Sequence, residues 1–379
     1  MKEQEKALLK EQINKAKLIS FDIFDTLLFR KTNTPEAIFD LVGKHFGIHG
    51  FRKLRMDEQN EASRRAYEAH QAPHANMDEI YEVLSEHTEI AVDWNEVKEF
   101  EIQMERDALV ANQEMLEIVQ YAKSIGKRVI ATSDMYLFAE TLEGFLKEKG
   151  FKGIEHVYCS ADEQKAKFNK DLFEVVAQKE DIAYEDILHI GDKDRDDGEF
   201  PASYGYQTFV YHRDFNPDKL KHAPCSEVDN GLYKILFSRK KDFWYNLGVE
   251  VGGPIYMGLY RFIRERVPDK TQKIYLIARD GYNLYHILKV FGYTNIEYLY
   301  TSRRALTMAC ITEMNEREIA SLPPYIMGQT VGEILEYLGI KKEEIHHLKT
   351  VGFHSFDDEI RTLEDIEAFK LLYECDREV

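Results

Sequence analysis

Cysteine is scarce and scattered: four residues, Cys159, Cys225, Cys310 and Cys375, with no C-x-x-C pair among them. That spacing argues against a zinc knuckle or a disulfide scaffold and fits a reducing, cytoplasmic setting. Positive charge is also short. Lys and Arg total 50 against 68 Asp and Glu, a formal net charge of -18. Nucleic acid is therefore not expected as a partner, because its phosphate backbone would be repelled. The same repulsion means that a phosphorylated substrate needs a metal ion or placed cations to enter. No apolar run approaches the roughly 20 residues of a membrane span, and the charged start MKEQEKALLK has no signal-peptide core. No membrane insertion is expected. Neither G-x-G-x-x-G nor a P-loop occurs, which leaves a dinucleotide or NTPase site without support, and there is no internal repeat or low-complexity segment.

What is present suits a folded chain of two or three domains, at about 150 residues each, with 44% hydrophobic and 31% charged residues. Glu3 to Lys17 reads as a short polar helix, and Leu18-Ile19-Ser20-Phe21 as an apolar strand running into Asp22. Residues 35–111 carry long helical patterns and almost no strand signal. Pro35 after Thr34 suits a helix start, and Arg52–His70, Met77–His87 and Trp94–Ala111 bring the total to about four helices. From Glu114 onward helix and strand alternate, with strands at Arg128–Ala131, His156–Tyr158, Ile187–Ile190 and Gln207–Tyr211. That rhythm predicts βαβ units and a parallel sheet covered on both faces. The helical block interrupts the sheet after its first strand and reads as an inserted cap over about 30–112, within a domain 1–212. A connector over 213–245 follows. Residues 246–379 read as a second α/β and helical domain, with a helical stretch Phe243–Arg266 broken near Gly252-Gly253-Pro254 and strands at Lys273–Ile277 and Ile296–Tyr300. Glu374–Val379 carries no clear stop, as in one part of a longer protein.

Four points of charge or polarity fall where apolar strands end. Asp22 and Asp25 follow the first strand, and a carboxylate there is desolvated unless something cationic meets it. Strand-end Asp residues are also common turn formers. Thr132-Ser133-Asp134 follows the second strand, where a hydroxyl could donate to a phosphoryl oxygen or equally cap a helix. Lys167 lies in a lysine-rich run that alone reads as solvated charge. Gly191-Asp192-Lys193-Asp194-Arg195-Asp196-Asp197 follows a further strand, and its acids could hold a hard cation or face solvent.

Taken together and in this order, these points make residues 18–211 resemble the haloacid dehalogenase superfamily of aspartate-nucleophile hydrolases. That family carries an Asp after strand one, Ser or Thr after strand two, a Lys further on, and G-D-x-x-x-x-D after a later strand; Gly191-Asp192 followed by Asp197 has that spacing. Lys167 is preferred to Lys165 because Phe173 lies six residues beyond it, and Ser133 is preferred to Thr132 as the hydroxyl. The resemblance implies a Rossmannoid parallel sheet with a helical cap inserted after the first strand. It implies phosphoryl transfer to Asp22, assisted by Ser133 and Lys167, and then hydrolysis of an aspartyl phosphate. It further implies Mg²⁺ held by Asp22, Asp192 and the backbone carbonyl of Phe24, with Asp197 as a further ligand or as the residue that orients Asp192 or Lys167. Thr132 and Asp134 would stand beside the substrate. One departure matters. Family phosphatases place a second Asp two residues after the nucleophile as general acid and base, and here that position is Phe24; dehalogenating members carry a non-acidic residue there but need no metal.

In the second half, Arg279-Asp280 and Thr301-Ser302-Arg303-Arg304 follow strands, and Arg279 with Arg303 could hold a phosphate or a nucleotide sugar. An Arg–Asp pair stapling the loop is an equal reading. His346-His347 reads as surface. The phrases Phe21-Asp22-Ile23-Phe24-Asp25-Thr26-Leu27-Leu28, Ser133-Asp134-Met135-Tyr136-Leu137 and Ala278-Arg279-Asp280-Gly281-Tyr282 resemble a bacterial subfamily of such hydrolases associated with surface-polysaccharide genes. Two expectations follow from the resemblance: an Mg²⁺-dependent hydrolase of a small phosphorylated metabolite such as a sugar phosphate, or a catalytically weak binding or scaffolding module that partners a glycosyltransferase or other polysaccharide-biosynthesis enzyme.

Overall fold

Leu18-Ile19-Ser20-Phe21 is the middle strand of a five-stranded parallel sheet in the computed structural model, which describes residues 1, 3–213, 227–237, 241–301, 318 and 326–377. Arg303, Cys225, Cys310 and residues 214–226 and 238–240 of the expected connector lie outside the described residues. The chain divides into two compact units, Met1–Pro254 and Ile255–Val379. The first contains the described residues 227–237 and 241–245 of the expected connector.

In chain order the first unit runs α1 (Glu3–Lys15), β1 (Leu18–Phe21), β2 (Leu28–Arg30), α2 (Ala37–Phe46), α3 (Phe51–His70), α4 (Met77–Ser85), α5 (Trp94–Ala108) and β3 (Leu109–Ala111). It continues α6 (Gln113–Ser124), β4 (Arg128–Ser133), α7 (Ala139–Glu148), β5 (Val157–Cys159), α8 (Asp171–Glu180), β6 (Ile187–Gly191), β7 (Gln207–Val210) and α9 (Glu227–Leu236). The parallel sheet has the order β5-β4-β1-β6-β7. Strands β4 and β5 extend it to one side of β1, and β6 and β7 to the other. The strand order therefore reverses at β1, where open α/β sheets form their binding crevice. Register does the rest: Phe21 pairs with both Ala131 and Ile190, so the residues that follow them reach the carboxyl edge at one level. β1 is fully buried, as expected of a strand whose faces are both covered by helices.

The helical insertion consists of α2 to α5, as the periodicity indicated. The sequence reading missed its base. Leu28–Arg30 and Leu109–Ala111 pair antiparallel, Phe29 opposite Val110, so the helix expected to reach Ala111 ends at Ala108 and gives way to a strand. Three-residue strands are too short to leave a period-2 signal. The insertion rests on the core through the N–H of Met77, which donates to the Tyr136 carbonyl at 2.8 Å, and through His74, 2.5 Å from the Ser160 hydroxyl.

Inside the insertion lies a buried ion pair. Arg55, on α3, gives Nε to Glu101 Oε2 at 3.0 Å and Nη2 to Oε1 at 2.9 Å; Tyr81 adds its hydroxyl to Oε2 at 2.7 Å. The guanidinium is fully buried, against the rings of Phe39 at 4.7 Å and Tyr136 at 4.9 Å. One helical turn beyond Glu101, Glu105 takes Arg30 Nε at 2.7 Å.

In the second unit, β8 (Ile274–Ile277) and β9 (Ile296–Leu299) pair in parallel across α11 (Gly281–Val290), which follows α10 (Gly253–Arg266). Leu284, Leu288 and Ile296 pack beneath them with Tyr260. The expected break at Gly252-Gly253-Pro254 is a π-helical turn, Gly248–Gly252. A second core joins α12 (Val331–Leu338) to α13 (Leu363–Arg377) through Ile334, Leu335, Phe369 and Leu372. His347 Nδ1 pairs with Asp376 at 2.7 Å. Among the described residues, no helix is long and apolar enough to cross a membrane.

The Arg55–Glu101 pair yields a stability prediction. Glu101→Gln leaves a buried guanidinium without its counter-charge and should cost about 3–5 kcal/mol. Replacing both partners, as Arg55→Met with Glu101→Leu, should recover most of that loss. Urea denaturation of the single and double variants measures both.

Candidate active site

Three strand ends build the site. Asp22 follows β1, with its N–H donating to the Ile190 carbonyl at 2.8 Å. Ser133 closes β4, and Gly191-Asp192 leaves β6. Lys167 reaches in from the loop before α8, and its Nζ donates to Asp22 Oδ1 and to Asp197 Oδ1, both at 2.6 Å. All three side chains are buried, at 9% exposure or less. Lys165, the alternative lysine, stands outside and pairs with Asp171 at 3.4 Å.

The Lys167 loop is itself held by a site residue. Asp134 accepts the backbone N–H of Lys167 at 2.7 Å and that of Phe168 at 3.2 Å. Expected beside the substrate, Asp134 lines the cleft and spends its carboxylate on the loop that aims the lysine. Thr132 corrects an expectation. Side chains alternate along a strand, so Thr132 shares the face of Ile130 and Ser20. It is fully buried there, 2.9 Å from the Ser20 hydroxyl, and not in the cleft. Ser133 takes the other face and does line the cleft.

Asp197 has all its acceptor positions filled. Oδ1 takes Lys167 Nζ and His189 Nε2 (3.1 Å), and Oδ2 takes the N–H groups of Asp192 at 3.2 Å and Lys193 at 3.0 Å. An ionised carboxylate offers about four lone-pair sites. Asp197 therefore orients the lysine and the loop, one of the two roles expected of it, with its carboxylate beside those of Asp22 and Asp192. A π-helical turn, Asp194–Glu199, brings it round beneath the loop. Gly191 makes room: a Cβ there would lie 2.2 Å from the Asp197 carboxyl carbon.

Asp192 is the opposite case. Its Oδ1 is buried and has no hydrogen-bond partner among the described residues. Burial, followed by the nearby Asp22, Asp25 and Asp197, pushes its pKa up to about 8. Burial likewise raises Asp22, to about 6, against the pull of Lys167. Lys167 remains a cation: burial acts to lower it, but Asp197 and Asp22 outweigh that and hold it above the usual lysine value. Carboxylate oxygens of Asp22, Asp192 and Asp197 lie within 4.8 Å of one another. An orphaned buried oxygen and two carboxylates reluctant to ionise fit a hard divalent cation between Asp22 and Asp192.

Sequence reasoning missed two residues under the site. Ser20 Oγ lies 2.9 Å from His189 Nδ1, and His189 in turn meets Asp197, giving a buried chain from Thr132 to Lys167. The signal was available: each is a polar residue inside an otherwise apolar strand.

The mouth of the site is a cleft of about 410 Å³, walled by Asp22, Phe24, Ser133 and Lys167 from the core and by Phe39, Met56, Gln59 and Asn60 from the insertion. The insertion thus lies over the site. Phe24 is half-buried with the Arg30 guanidinium 4.1 Å from its ring centre. Arg279 is exposed, in the other unit.

Burial pushes the His189 pKa down, although Asp197 pulls the other way. A histidine depressed by folding contributes stability that is complete above its unfolded value of about 6.5 and lost as pH falls below it. Between about pH 7.5 and pH 5, wild type should therefore lose unfolding free energy more steeply than His189→Gln, whose amide does not titrate. Urea titrations across that range would show parallel curves if the imidazole were not held neutral.

Residues 16–203 match the family model "haloacid dehalogenase-like hydrolase". Among solved structures, an L-2-haloacid dehalogenase is 17% identical, over 54% of this chain and 89% of its own, with a TM-score of 0.38. A HAD family enzyme from Bacteroides thetaiotaomicron, in complex with magnesium and inorganic phosphate, is 13% identical over 54% and 98%, with a TM-score of 0.37. No curated protein matches the chain. With its parallel sheet and its four motifs on one edge, the segment 16–203 is similar to the haloacid dehalogenase-like hydrolases whose model it matches.

Proposed function

We propose that the protein is an Mg²⁺-dependent phosphatase of a small phosphorylated metabolite, a sugar phosphate being the favoured class, working in the cytoplasm through an aspartyl phosphate on Asp22. The observation that carries this reading is the unpartnered, buried Asp192 Oδ1 beside a carboxylate that Lys167 already holds. Dehalogenating members of the family need no metal, whereas an acid left unpartnered here favours one. In this reading Asp22 and Asp192 hold the ion, with the Phe24 carbonyl, and the ion supplies charge that lets a phosphate dianion approach a carboxylate. Lys167 fixes Asp22 Oδ1 and adds a buried positive charge, Ser133 donates to a phosphoryl oxygen, and Asp22 attacks phosphorus as the ester P–O bond breaks. Water then cleaves the aspartyl phosphate and releases inorganic phosphate.

Phe24 supports a slow form of this chemistry, since no carboxylic acid stands at its position to protonate the leaving group. The same observation favours the second reading, a binding or scaffolding module for a polysaccharide-biosynthesis enzyme, in line with the subfamily resemblance. Phosphate release from a panel of phosphorylated metabolites, with and without Mg²⁺, separates the two.

Asp22→Asn should fold normally and lower turnover by on the order of 10⁴-fold or more. Wild type should hydrolyse p-nitrophenyl phosphate faster than alkyl or sugar phosphates, because a good leaving group needs little protonation. Phe24→Asp should then favour the poor leaving groups by up to about 10²-fold, with Arg30 nearby to meet the new carboxylate. Equal rates across leaving groups in both proteins would move the reading toward the binding module.

Metal binding has its own signature. Carboxylates raised by folding contribute stability below their unfolded pKa and lose it as pH rises through the folded one, here about 6 for Asp22 and about 8 for Asp192. The Mg²⁺-induced rise in Tm should therefore be small near pH 5.5 and largest above about pH 8, and should vanish in Asp192→Asn. Thermal melts with and without Mg²⁺ at both pH values test this.

A further inference from the structure

Asp25 follows Phe24 in the turn between β1 and β2, where its backbone adopts φ 61° and its N–H donates to the Leu28 carbonyl at 2.8 Å. Its carboxylate borders the cleft and is near enough to the loop after β6 to help raise Asp192. Left bare, that charge would oppose any phosphate entering the site.

Arg213 meets it. Nη1 donates to Asp25 Oδ1 at 2.5 Å, Nη2 donates to the Lys234 carbonyl on α9 at 3.0 Å, and the guanidinium lies 4.0 Å from the centre of the Phe29 ring. Only 10% of the Arg213 side chain is exposed. Helix α9 is seated in turn on the segment that leads from β2 into the insertion. Lys234 Nζ donates to the Asn33 carbonyl at 2.6 Å. A Cβ on Gly231 would fall 2.1 Å from the Lys31 carbonyl oxygen, so the helix can approach this closely only as glycine.

We infer that Arg213, which lies beyond the matched residues 16–203, is a positioning residue for phosphoryl transfer: it holds the Asp25 carboxylate and cancels its charge at the mouth of the site. The inference rests on the phosphatase reading above. It assigns part of the active site's electrostatics to the segment that follows the hydrolase core, and α9 is what keeps the arginine in place.

The charge argument fixes the signs of the test. A bare Asp25 attracts Mg²⁺ and repels phosphate, so Arg213→Met should tighten Mg²⁺ binding, measured by calorimetry with the metal alone. The same variant should raise the KM for p-nitrophenyl phosphate and the inhibition constant of inorganic phosphate. Each shift should be on the order of tenfold, as one unit charge near 10 Å gives at an effective dielectric of about 20. Adding Asp25→Asn should return both toward wild type, and Arg213→Lys should stay close to it. Asp25→Asn alone removes the carboxylate from the mouth of the site and should shift both constants the opposite way, which keeps the test usable if Arg213→Met does not fold. Variants that weaken Mg²⁺ and phosphate together, with no rescue by Asp25→Asn, overturn the inference alone. A wild type that neither binds Mg²⁺ nor releases phosphate overturns the phosphatase reading, and this inference with it.

Discussion

The buried ammonium of Lys167, shared between Asp22 and Asp197, is the interaction around which the first unit is arranged. Removing three charges from water costs several kcal/mol for each ion unless geometry and further hydrogen bonds offset it. Here the offset comes from all sides. Asp134 pins the backbone of the lysine loop, and His189 and two backbone N–H groups complete Asp197. Asp22 is placed by the pairing of β1 with β6. Asp192 Oδ1 is buried with no hydrogen-bond partner among the described residues, and that incomplete position points to a ligand.

A second set of buried charges organises the insertion. Glu101 and Glu105 are four residues apart on α5, so they share a face, and they hold Arg55 and Arg30 respectively. Arg30 belongs to the hinge strand and also covers the ring of Phe24. The aromatic residue at the position where family phosphatases carry an acid is therefore built into the seam between core and insertion. Its presence is a packing commitment as well as a chemical departure.

Much of this was legible in the sequence for simple reasons. Short apolar runs ending in polar residues marked β1, β4 and β6, and parallel pairing brought their ends to one edge. Four insertion helices followed from their periodicity. What escaped detection depended on contacts between distant residues. The choice between Thr132 and Ser133 turns on which face of β4 each occupies, which the residue types do not reveal. Asp197 reads as one acid in an acidic loop, and only the π-helical turn and Gly191 show that its oxygens are consumed. Ser20 and His189 were visible as polar interruptions of apolar strands, yet their linkage needs β1 and β6 side by side. Arg213 reads as the start of a connector; its role appears once α9 is seen against the hinge.

The antiparallel ribbon of Leu28–Arg30 with Leu109–Ala111 carries both passages of the chain between sheet and insertion. Two paired strands resist sliding past one another far more than they resist bending together, since sliding would break their shared hydrogen bonds. The helices above the cleft are thus joined to the sheet by something closer to a door hinge than a ball joint. Any bending at this ribbon would change the width of the mouth between Phe24 on the sheet side and Met56 and Gln59 on the insertion side.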